Sequence, residues 1–238
     1  MYEKAFIEKQ LAELERIIEE TDDIEAKYQY VYYWQFADNY DNNQLIRQYL
    51  EQCIKQDCHK MMARYDLYLL LYDSKDDDEE MFTLLKDMIE DKTMESMKGL
   101  IYNCMGDCYK QGRGVQTDYM MAYETYKKGM ECSEFIENLI SIGDLYYENR
   151  IDGNNTEAFA CYARALKDSY LYPDVITNKE SSRALALDRI GRCYMYGVGV
   201  ETDFRKARDY LEESIDVFGN DYCDNRKDLL ILEEKEKK

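Results

Sequence analysis

The chain has 238 residues, 45% of them hydrophobic, and carries 50 acidic against 31 basic side chains, for a net charge of −19. This charge argues against direct binding to nucleic acid or to an anionic membrane, because both attract proteins through a positive field. No run of about 18 apolar residues occurs in the sequence, so no segment is expected to insert into a membrane.

The N-terminal segment, MYEKAFIEKQLAELERIIEE, predicts a charged amphipathic helix rather than a signal peptide with an apolar centre, which favours a cytoplasmic protein. Four more helices are expected in the first hundred residues, at 24–39, 43–56, 60–72 and 79–91. We interpret residues 1–93 as the N-terminal helix followed by two degenerate helix pairs. A single proline and eleven glycines in the whole chain agree with long helices and an all-α fold, because sheet-rich chains need more turn residues.

The stretch YQYVYYWQFADNY, residues 28–40, overlaps the helix expected at 24–39 and is rich in tyrosine. On a helical wheel, one face carries Val31 and Trp34, and nearly the opposite face carries Tyr30, Tyr33 and Tyr40. Two apolar faces are expected of a helix that is sandwiched between neighbours, so core packing is the main interpretation. The alternative is that these three tyrosines line a concave groove and bind a partner, because tyrosine is enriched at binding hot spots.

The central part of the chain repeats itself. The stretch GDCYKQGRGVQTDYMMAYETYKKG begins at Gly106 and recurs from Gly191 as GRCYMYGVGVETDFRKARDYLEES. A weaker copy, IGDLYYENRIDGNNTEAFACYARAL, begins at Ile142 between them. Self-similarity with a period of about 20–50 residues indicates stacked repeats. Each copy predicts two helices joined by a turn, and such a hairpin must be stacked because it cannot bury its apolar surface alone.

The positions shared by the copies have three predicted roles. Small residues let the paired helices approach closely, with tyrosines beside them, and glycines form the turn, where a left-handed backbone is expected. Thr117 or Asp118 caps the second helix. The shared positions are Gly106, Tyr109, Gly112, Gly114, Asp118 and Ala122 in the first copy, Gly143, Tyr146 and Ala158 in the second, and Gly191, Tyr194, Gly197, Gly199, Asp203 and Ala207 in the third.

These copies divide the rest of the chain. Two repeats are assigned to residues 94–166 and the third to residues 181–217. Residues 167–180, with the only proline at Pro173, are interpreted as an insert between the second and third repeats. Residues 218–238 predict a C-terminal capping helix with a charged tail. All of these segments are expected to form a single repeat domain over residues 1–238, because each repeat covers the next.

The repeated pattern resembles the Sel-one-like repeat family, whose members are relatives of the tetratricopeptide repeats. The resemblance rests on the glycine–tyrosine helix, the G-x-G-V turn, the aspartate cap and the helix that begins near the shared alanine. The middle copy departs from it, because ENRIDGNN replaces the G-x-G-V turn. The resemblance implies an α-solenoid, a right-handed superhelix of about five stacked antiparallel helix pairs with capping helices at both ends. It also implies a non-enzymatic scaffold or adaptor that binds a segment of another protein.

Residues that could carry chemistry are few, and we expect no catalytic, cofactor or metal site. His59, the only histidine, stands in CIKQDCH near Cys53 and Cys58, but this spacing matches no common zinc site, so a structural or surface histidine is expected. The G-x-G pairs lack the preceding strand and the GK[ST] of a phosphate loop. The acidic run from Asp73 to Asp91 is interpreted as a solvated loop and a capped helix, with an acidic docking patch as the alternative.

The leading functional hypothesis is a cytoplasmic protein–protein interaction scaffold whose acidic concave face binds a basic protein or peptide. The alternative from another class is an acidic inhibitor or nucleic-acid mimic that blocks a nucleic-acid-binding partner, which would require acids spaced like phosphates on one surface. An enzyme is the third and weakest hypothesis. Some cysteine-rich relatives of the family are associated with β-lactam binding, but the irregular cysteines of this chain do not follow their disulfide pattern.

Overall fold

The computed structural model describes residues 4–37, 42–74, 77–132, 135–171, 179–218 and 225–236. These residues form α-helices and one 3-10 helix, and they contain no strand, so the all-α prediction is confirmed. The chain divides into two compact units, Met1–Met94 and Glu95–Lys238. That the whole chain forms a single repeat domain stays a prediction. None of the helices formed by the described residues is both long and apolar enough to cross a membrane.

The first unit consists of helices that each pack against the next one in the chain. They are α1 (Lys4–Thr21), α2 (Ile24–Trp34), α3 (Asn43–Lys55), α4 (Lys60–Ser74) and α5 (Asp78–Glu90). Buried residues recur at helical spacing, as α3 shows with Ile46, Leu50 and Cys53. Helix α2 is shorter than the predicted 24–39, since it ends at Trp34 and is followed by a turn, and residues 38–41 lie outside the described part of the chain.

The second unit contains the three repeats. A 3-10 helix, Lys92–Met97, precedes α6 (Lys98–Gln111), α7 (Tyr119–Cys132), α8 (Ile136–Tyr147), α9 (Asn155–Leu171), α10 (Lys179–Tyr196), α11 (Phe204–Phe218) and α12 (Asn225–Glu236). The strongest packing joins α6 to α7, α8 to α9 and α10 to α11, and each pair also contacts the next pair. Paired helices in which each pair touches only its neighbours form an α-solenoid, as the repeats predict.

The turn inside the first repeat depends on a left-handed glycine. Gly112 ends α6 with φ 75°, and its N–H donates to the carbonyl of Cys108 at 2.8 Å. The N–H of Arg113 donates to the same carbonyl at 3.0 Å. Backbone N–H groups at the end of the helix thus satisfy a carbonyl of its last turn. The third repeat forms the same turn. The other glycines of these two turns with positive φ are Gly114, Gly197 and Gly199.

Aspartates cap the second helix of two repeats. The Oδ1 of Asp118 accepts from the N–H of Met121 at 2.9 Å, so Asp118 rather than Thr117 is the cap of α7. In the third repeat, the Oδ1 of Asp203 accepts from the N–H of Lys206 at 3.0 Å. The two close copies therefore begin their second helices with the same hydrogen bond.

The middle repeat reaches the same geometry with different residues. Asn149 takes the left-handed position with φ 53°, and the N–H of Arg150 donates to the carbonyl of Leu145 at 2.9 Å. Asparagine is among the few residues besides glycine that adopt this conformation readily. The next helix starts with a capping box, in which the N–H of Asn154 donates to Glu157 Oε2 at 2.7 Å and the N–H of Glu157 donates to Asn154 Oδ1 at 3.2 Å.

A tyrosine lies flat against the backbone of the partner helix in the first two repeats. A Cβ at Gly106 would approach a ring carbon of Tyr126 to 2.2 Å, so this glycine is what allows the close contact. The Tyr126 hydroxyl donates to Asp107 at 2.7 Å. In the second repeat, the Tyr162 hydroxyl donates to Asp144 at 2.8 Å. The glycine and the aspartate lie on one helix of the pair and the tyrosine on the other, so these contacts hold the two helices together.

One buried position recurs in all three repeats. The site shared by Cys108, Leu145 and Cys193 is at most 2% exposed in each copy, so it is a core site. The other shared positions pack around it. Fully buried alanines are Ala122, Ala158 and Ala207, close-approach glycines are Gly143 and Gly191, and partly buried tyrosines are Tyr109, Tyr146 and Tyr194.

The third repeat replaces both members of the tyrosine–aspartate hydrogen bond. Leu211 stands in place of the tyrosine, and Arg192 follows the glycine in place of the aspartate. The Nε of Arg192 lies 3.2 Å from Asp188 and 2.9 Å from Asp228, so the arginine joins α10 to α12. The exchange therefore converts a contact within one repeat into a contact with the last helix.

A second arginine extends this network to the preceding repeat. Arg189 lies 2.7 Å from Asp144 on α8 and 2.6 Å from Asp188 on its own helix. The side chain of Asp188 is 0% exposed, and a buried carboxylate is tolerated only when cations compensate its charge. The network therefore specifies how α8, α10 and α12 face each other.

The predicted insert is largely helical at its ends. Residues 167–171 belong to α9, and residues 179–180 belong to α10. Pro173 and the other residues from 172 to 178 lie outside the described part of the chain. The predicted C-terminal capping helix corresponds to α12, which contacts α10 and α11.

Candidate functional site

A cavity of about 480 Å³ opens in the first unit among α2, α3 and α4. Its lining is mostly apolar, with polar side chains interspersed. The apolar residues are Val31, Trp34, Ile46, Leu50, Leu69 and Leu70, and the polar residues are Gln35, Asn43, Asp66 and Asp73. A cavity of this size with apolar walls and a few polar groups has the character of a ligand pocket, for which about 300–1,000 Å³ is usual. We call it the Asp66 pocket.

The apolar lining of the Asp66 pocket comes mainly from the buried faces of α2 and α3. Val31 and Trp34 lie on the buried face of α2, and Ile46 and Leu50 lie one turn apart on the buried face of α3. Val31, Ile46 and Leu50 are at most 1% exposed. Leu69 is 41% exposed, so part of the apolar lining is open to solvent.

Two carboxylates lie on the α4 side of the Asp66 pocket. Asp66 and Asp73 are seven residues apart, so they lie two helical turns apart on one face, at about 10 Å along the axis. Burial raises the pKa of Asp66 to about 6, and a hydrogen bond with Gln35 opposes this rise. Above that pH the pocket holds a carboxylate that is poorly hydrated. Among the described residues, no lysine or arginine forms an ion pair with Asp66.

The first predicted partner-binding residue is a core residue. Tyr30 is 3% exposed, and its ring packs edge-on against Tyr49 with the ring centres 5.7 Å apart. Its hydroxyl donates to Glu15 at 3.0 Å. Burial and this carboxylate raise the pKa of Tyr30 to about 12. Tyr30 therefore connects α1, α2 and α3 and does not reach solvent, which corrects its assignment to a binding surface.

Tyr33 does not line the pocket either. Tyr33 is half-buried and packs edge-on against Phe6 of α1, with ring centres 6.1 Å apart. Tyr40 lies outside the described residues. The large exposed aromatic side chains in this part of the chain are Tyr32 and Phe36, which pack against each other with ring centres 5.4 Å apart. That Tyr33 and Tyr40 bind a partner stays a prediction.

His59 has a partner that its local sequence does not show. Its Nε2 lies 3.0 and 3.1 Å from the two carboxylate oxygens of Glu25, and its ring stacks on Tyr28 at 4.3 Å between centres. Cys58 Sγ lies 3.7 Å from the same carboxylate. Cys53 is fully buried nearby, with Sγ 3.8 Å from the carbonyl of Ile24. His59 is 44% exposed in its side chain, as predicted for a surface histidine.

The acidic run from 73 to 91 is partly neutralised. Arg47 on α3 pairs with Glu80 at 2.5 Å and approaches Asp77 to 3.9 Å. Asp91 pairs with Arg64 and Lys60, and hydrogen bonds from the neighbouring Thr93, followed by Arg64, lower its pKa to about 2. Helix α5 has acids throughout its first turn, where the helix dipole favours them. These contacts agree with a capped, solvated helix.

Sequence reasoning missed the Asp66 pocket. A signal was available, because Asp66 interrupts the otherwise apolar face of YDLYLLLYD and Asp73 follows at helical spacing. What the sequence lacks is the information that α2 and α3 leave space opposite these two carboxylates.

Comparisons with known proteins agree with the repeat assignment. The Sel1 repeat matches residues 105–129, 141–170 and 184–216. A Sel1 repeat protein from Oxalobacter formigenes has a similar structure, with a TM-score of 0.53 and 17% identity over 82% of this chain and 71% of that chain. BtubC (BKLC) from P. vanneervenii is also similar, with a TM-score of 0.59 and 14% identity over 90% of this chain and 88% of that chain. A search of curated protein sequences finds no match.

The matched segments fall on the three helix pairs α6–α7, α8–α9 and α10–α11. The identities to the two solved structures are low enough that the likeness concerns the fold alone. Because the repeat match and the helix pairing agree segment by segment, the chain contains three Sel1 repeats, and its fold is an all-α solenoid.

Proposed function

We propose that this protein is a non-enzymatic scaffold that binds a basic segment of another protein, and that the Asp66 pocket receives a lysine or arginine side chain of that segment. Sel1 repeat proteins are typically protein–protein interaction scaffolds, which supports the general role. The observation that carries the specific proposal is a partly buried carboxylate inside a mostly apolar pocket.

The pocket has the two features that a long basic side chain needs. The aliphatic stem of lysine or arginine packs against apolar surface while the charged end seeks a carboxylate. Trp34 and Leu69 supply apolar surface, and Asp66 supplies the charge. Because Asp66 is partly desolvated, an ion pair formed there is screened less than one on the open surface.

The second carboxylate suggests a spacing in the ligand. Asp66 and Asp73 lie about 10 Å apart along α4, and a polyproline II chain advances about 3.1 Å per residue and returns to the same face every third residue. A peptide that runs along α4 would therefore match both carboxylates with basic residues three positions apart. The net charge of −19 should speed the encounter with such a peptide, and more so at low salt.

The only tryptophan of the chain lies in the pocket and provides the assay. Short peptides with lysine at two positions three residues apart are titrated against the full-length protein while the fluorescence of Trp34 is followed. The same peptides with glutamate or leucine at those positions serve as comparisons. Saturable quenching or shifting of the emission by the lysine peptides is expected.

Two matched variants separate the pocket from general charge attraction. Asp66→Asn removes the pocket carboxylate, and Asp87→Asn removes one charge from an exposed position of α5 in the same unit. We expect Asp66→Asn to weaken binding of the lysine peptides at least about tenfold, because a charge-assisted contact is worth about 1.5–3 kcal/mol. Equal weakening by both variants would show that the pocket does not recognise the cation, and preferential binding of the glutamate peptides would refute a basic ligand.

A further inference from the structure

We propose that Glu25, Cys58 and His59 form a binding site for a zinc-like divalent cation, independent of the Asp66 pocket. The ligand atoms of these three side chains all lie within 4.8 Å of one another. Among the residues that the structure describes, they are the one group of three or more histidine, cysteine and acidic side chains with this proximity. We call it the His59 cluster.

The distances in the His59 cluster fit a metal at its centre. Bonds of about 2.0–2.1 Å to nitrogen or oxygen and about 2.3 Å to sulfur place tetrahedral ligand atoms roughly 3.3–3.6 Å apart. His59 Nε2 lies 3.0 and 3.1 Å from the Glu25 oxygens, and Cys58 Sγ lies 3.7 Å from the nearer one. An ion therefore needs only small side-chain rotations to contact all three groups.

The types of ligand select the kind of cation. Thiolate, imidazole and carboxylate together are the ligands that zinc uses in proteins. Calcium and magnesium prefer six or more oxygen ligands, and the His59 cluster offers one carboxylate. Thiolate and imidazole also favour the later first-row metals such as cobalt and zinc over manganese.

The backbone of the loop that carries Cys58 and His59 is unusual at two positions. Cys58 and His59 lie in the short connection between α3 and α4, where Asp57 has φ 59° and His59 has φ 45°. Positive φ is disfavoured for residues other than glycine, and such residues concentrate at functional sites. The N–H of Cys58 donates to the carbonyl of Cys53 at 2.9 Å, which fixes the loop against the end of α3.

The surroundings support binding from solvent. The Tyr28 ring stacks on His59 and sets the plane of the imidazole. Glu25 and His59 are about half exposed in their side chains, so an ion can enter, and solvent can supply a fourth ligand. Cys53 is buried behind Cys58 and lies outside the three-ligand group. A bound ion would join the first turn of α2 to the α3–α4 connection.

Cobalt provides a direct test of the proposal. The full-length protein, reduced and freed of metal with a chelator, is titrated with Co²⁺ and then with Zn²⁺ while the absorption spectrum is recorded. We expect one Co²⁺ per chain, tetrahedral ligand-field bands and a thiolate-to-cobalt charge-transfer band, all of which Zn²⁺ abolishes. An excess of Ca²⁺ or Mg²⁺ should leave them unchanged.

Variants identify the ligands. Cys58→Ser should remove the charge-transfer band, and Glu25→Gln and His59→Gln should each weaken binding by at least about tenfold. Cys132→Ser, which removes an exposed thiol from the second unit, should bind as the wild type does. Melting curves in chelator show whether each variant is folded. Because Glu25 and His59 are exposed and Cys58 is only partly buried, each substitution should change the metal-free melting temperature little.

Several results would overturn the proposal. The absence of saturable binding at one ion per chain would reduce the His59 cluster to a surface pair of His59 and Glu25. If the charge-transfer band is unchanged in Cys58→Ser, the thiolate that binds cobalt is not that of Cys58. If the band is lost in Cys132→Ser, the thiolate that binds cobalt is that of Cys132. Spectral bands that Ca²⁺ displaces would mean that oxygen ligands dominate the site.

Discussion

Replacing Asp66 by asparagine should stabilise the first unit at neutral pH. The pKa of Asp66 is raised from 3.8 to about 6, mainly because burial disfavours the charged carboxylate. Between these two values the folded state holds a proton that the unfolded state has lost, so the stability of the wild type rises as the pH falls. Above pH 6 the folded protein carries a charge in an unfavourable place. Asparagine keeps the shape and the hydrogen-bonding capacity with Gln35 but carries no charge.

The magnitude follows from the pKa. One pH unit corresponds to about 1.4 kcal/mol, so the rise from 3.8 to about 6 sets an upper limit of about 3 kcal/mol on the gain from Asp66→Asn well above pH 6. Partial hydration of the pocket reduces this figure. The same linkage predicts that the gain shrinks by about 1.4 kcal/mol between about pH 7.5 and about pH 5, where the wild-type carboxyl becomes protonated. Burial raises the pKa of the neighbouring Tyr28, and the Asp66 carboxylate adds to this rise.

Urea unfolding followed by Trp34 fluorescence measures this effect in the first unit. The free energies of unfolding of the wild type, Asp66→Asn and the exposed-site control Asp87→Asn are compared at about pH 7.5 and about pH 5. The control should stay within about 0.5 kcal/mol of the wild type at both values. The reasoning is refuted if Asp66→Asn is less stable than the wild type at about pH 7.5, or if its advantage does not depend on pH. A stabilised variant that binds lysine peptides poorly would mean that the carboxylate is kept for binding at a cost in stability.

Three further predictions concern the fold. Gly106→Ala should destabilise the second unit by about 1–3 kcal/mol, because the new Cβ would approach the aromatic ring on α7 to 2.2 Å, and a thermal melt with unchanged melting temperature would contradict this. Arg189→Met should cost about 1–3 kcal/mol, because the buried Asp188 keeps only Arg192 as a cationic partner, whereas Arg164→Met, which breaks a largely exposed pair at 3.3 Å, should cost at most about 1 kcal/mol in denaturant unfolding. Hydrogen bonds from Thr93 lower the pKa of Asp91 from 3.8 to about 2, so its stabilisation is present above about pH 4 and is lost as the pH falls through about 2. Acid unfolding followed by circular dichroism should therefore begin at higher pH in Asp91→Asn than in the wild type, and identical curves would refute the assignment.

The sequence was informative where a structural role depends on neighbours in the chain. Gly112 is recognisable from its place between two helical patterns, because a left-handed helix end needs glycine whatever packs around it. Asp118 caps α7 three residues before the amide that it accepts from. The middle repeat shows the limit of the motif. Asn149 serves where glycine was expected, because asparagine tolerates the same backbone angles.

The faces of α2 were harder to assign. This helix is apolar on nearly every side, so its sequence is compatible with several orientations, and the periodicity does not show which side meets which neighbour. Tyr30 was a plausible surface residue by that pattern and is a core residue in the structure. Trp34, on the face assigned to the core, is buried as expected and also lines the Asp66 pocket.

What the sequence determined by itself is the class of architecture: helix pairs with glycine turns and aspartate caps, which must stack because each pair leaves apolar surface uncovered. Only the tertiary structure decided which distant side chains meet. Glu25 lies beside His59, and Arg189 lies beside Asp144, although 34 and 45 residues separate them along the chain. The physical reason is that turns and caps are stabilised by hydrogen bonds between near neighbours, whereas pockets and ligand clusters arise from the way whole helices pack, which no local pattern of residues records.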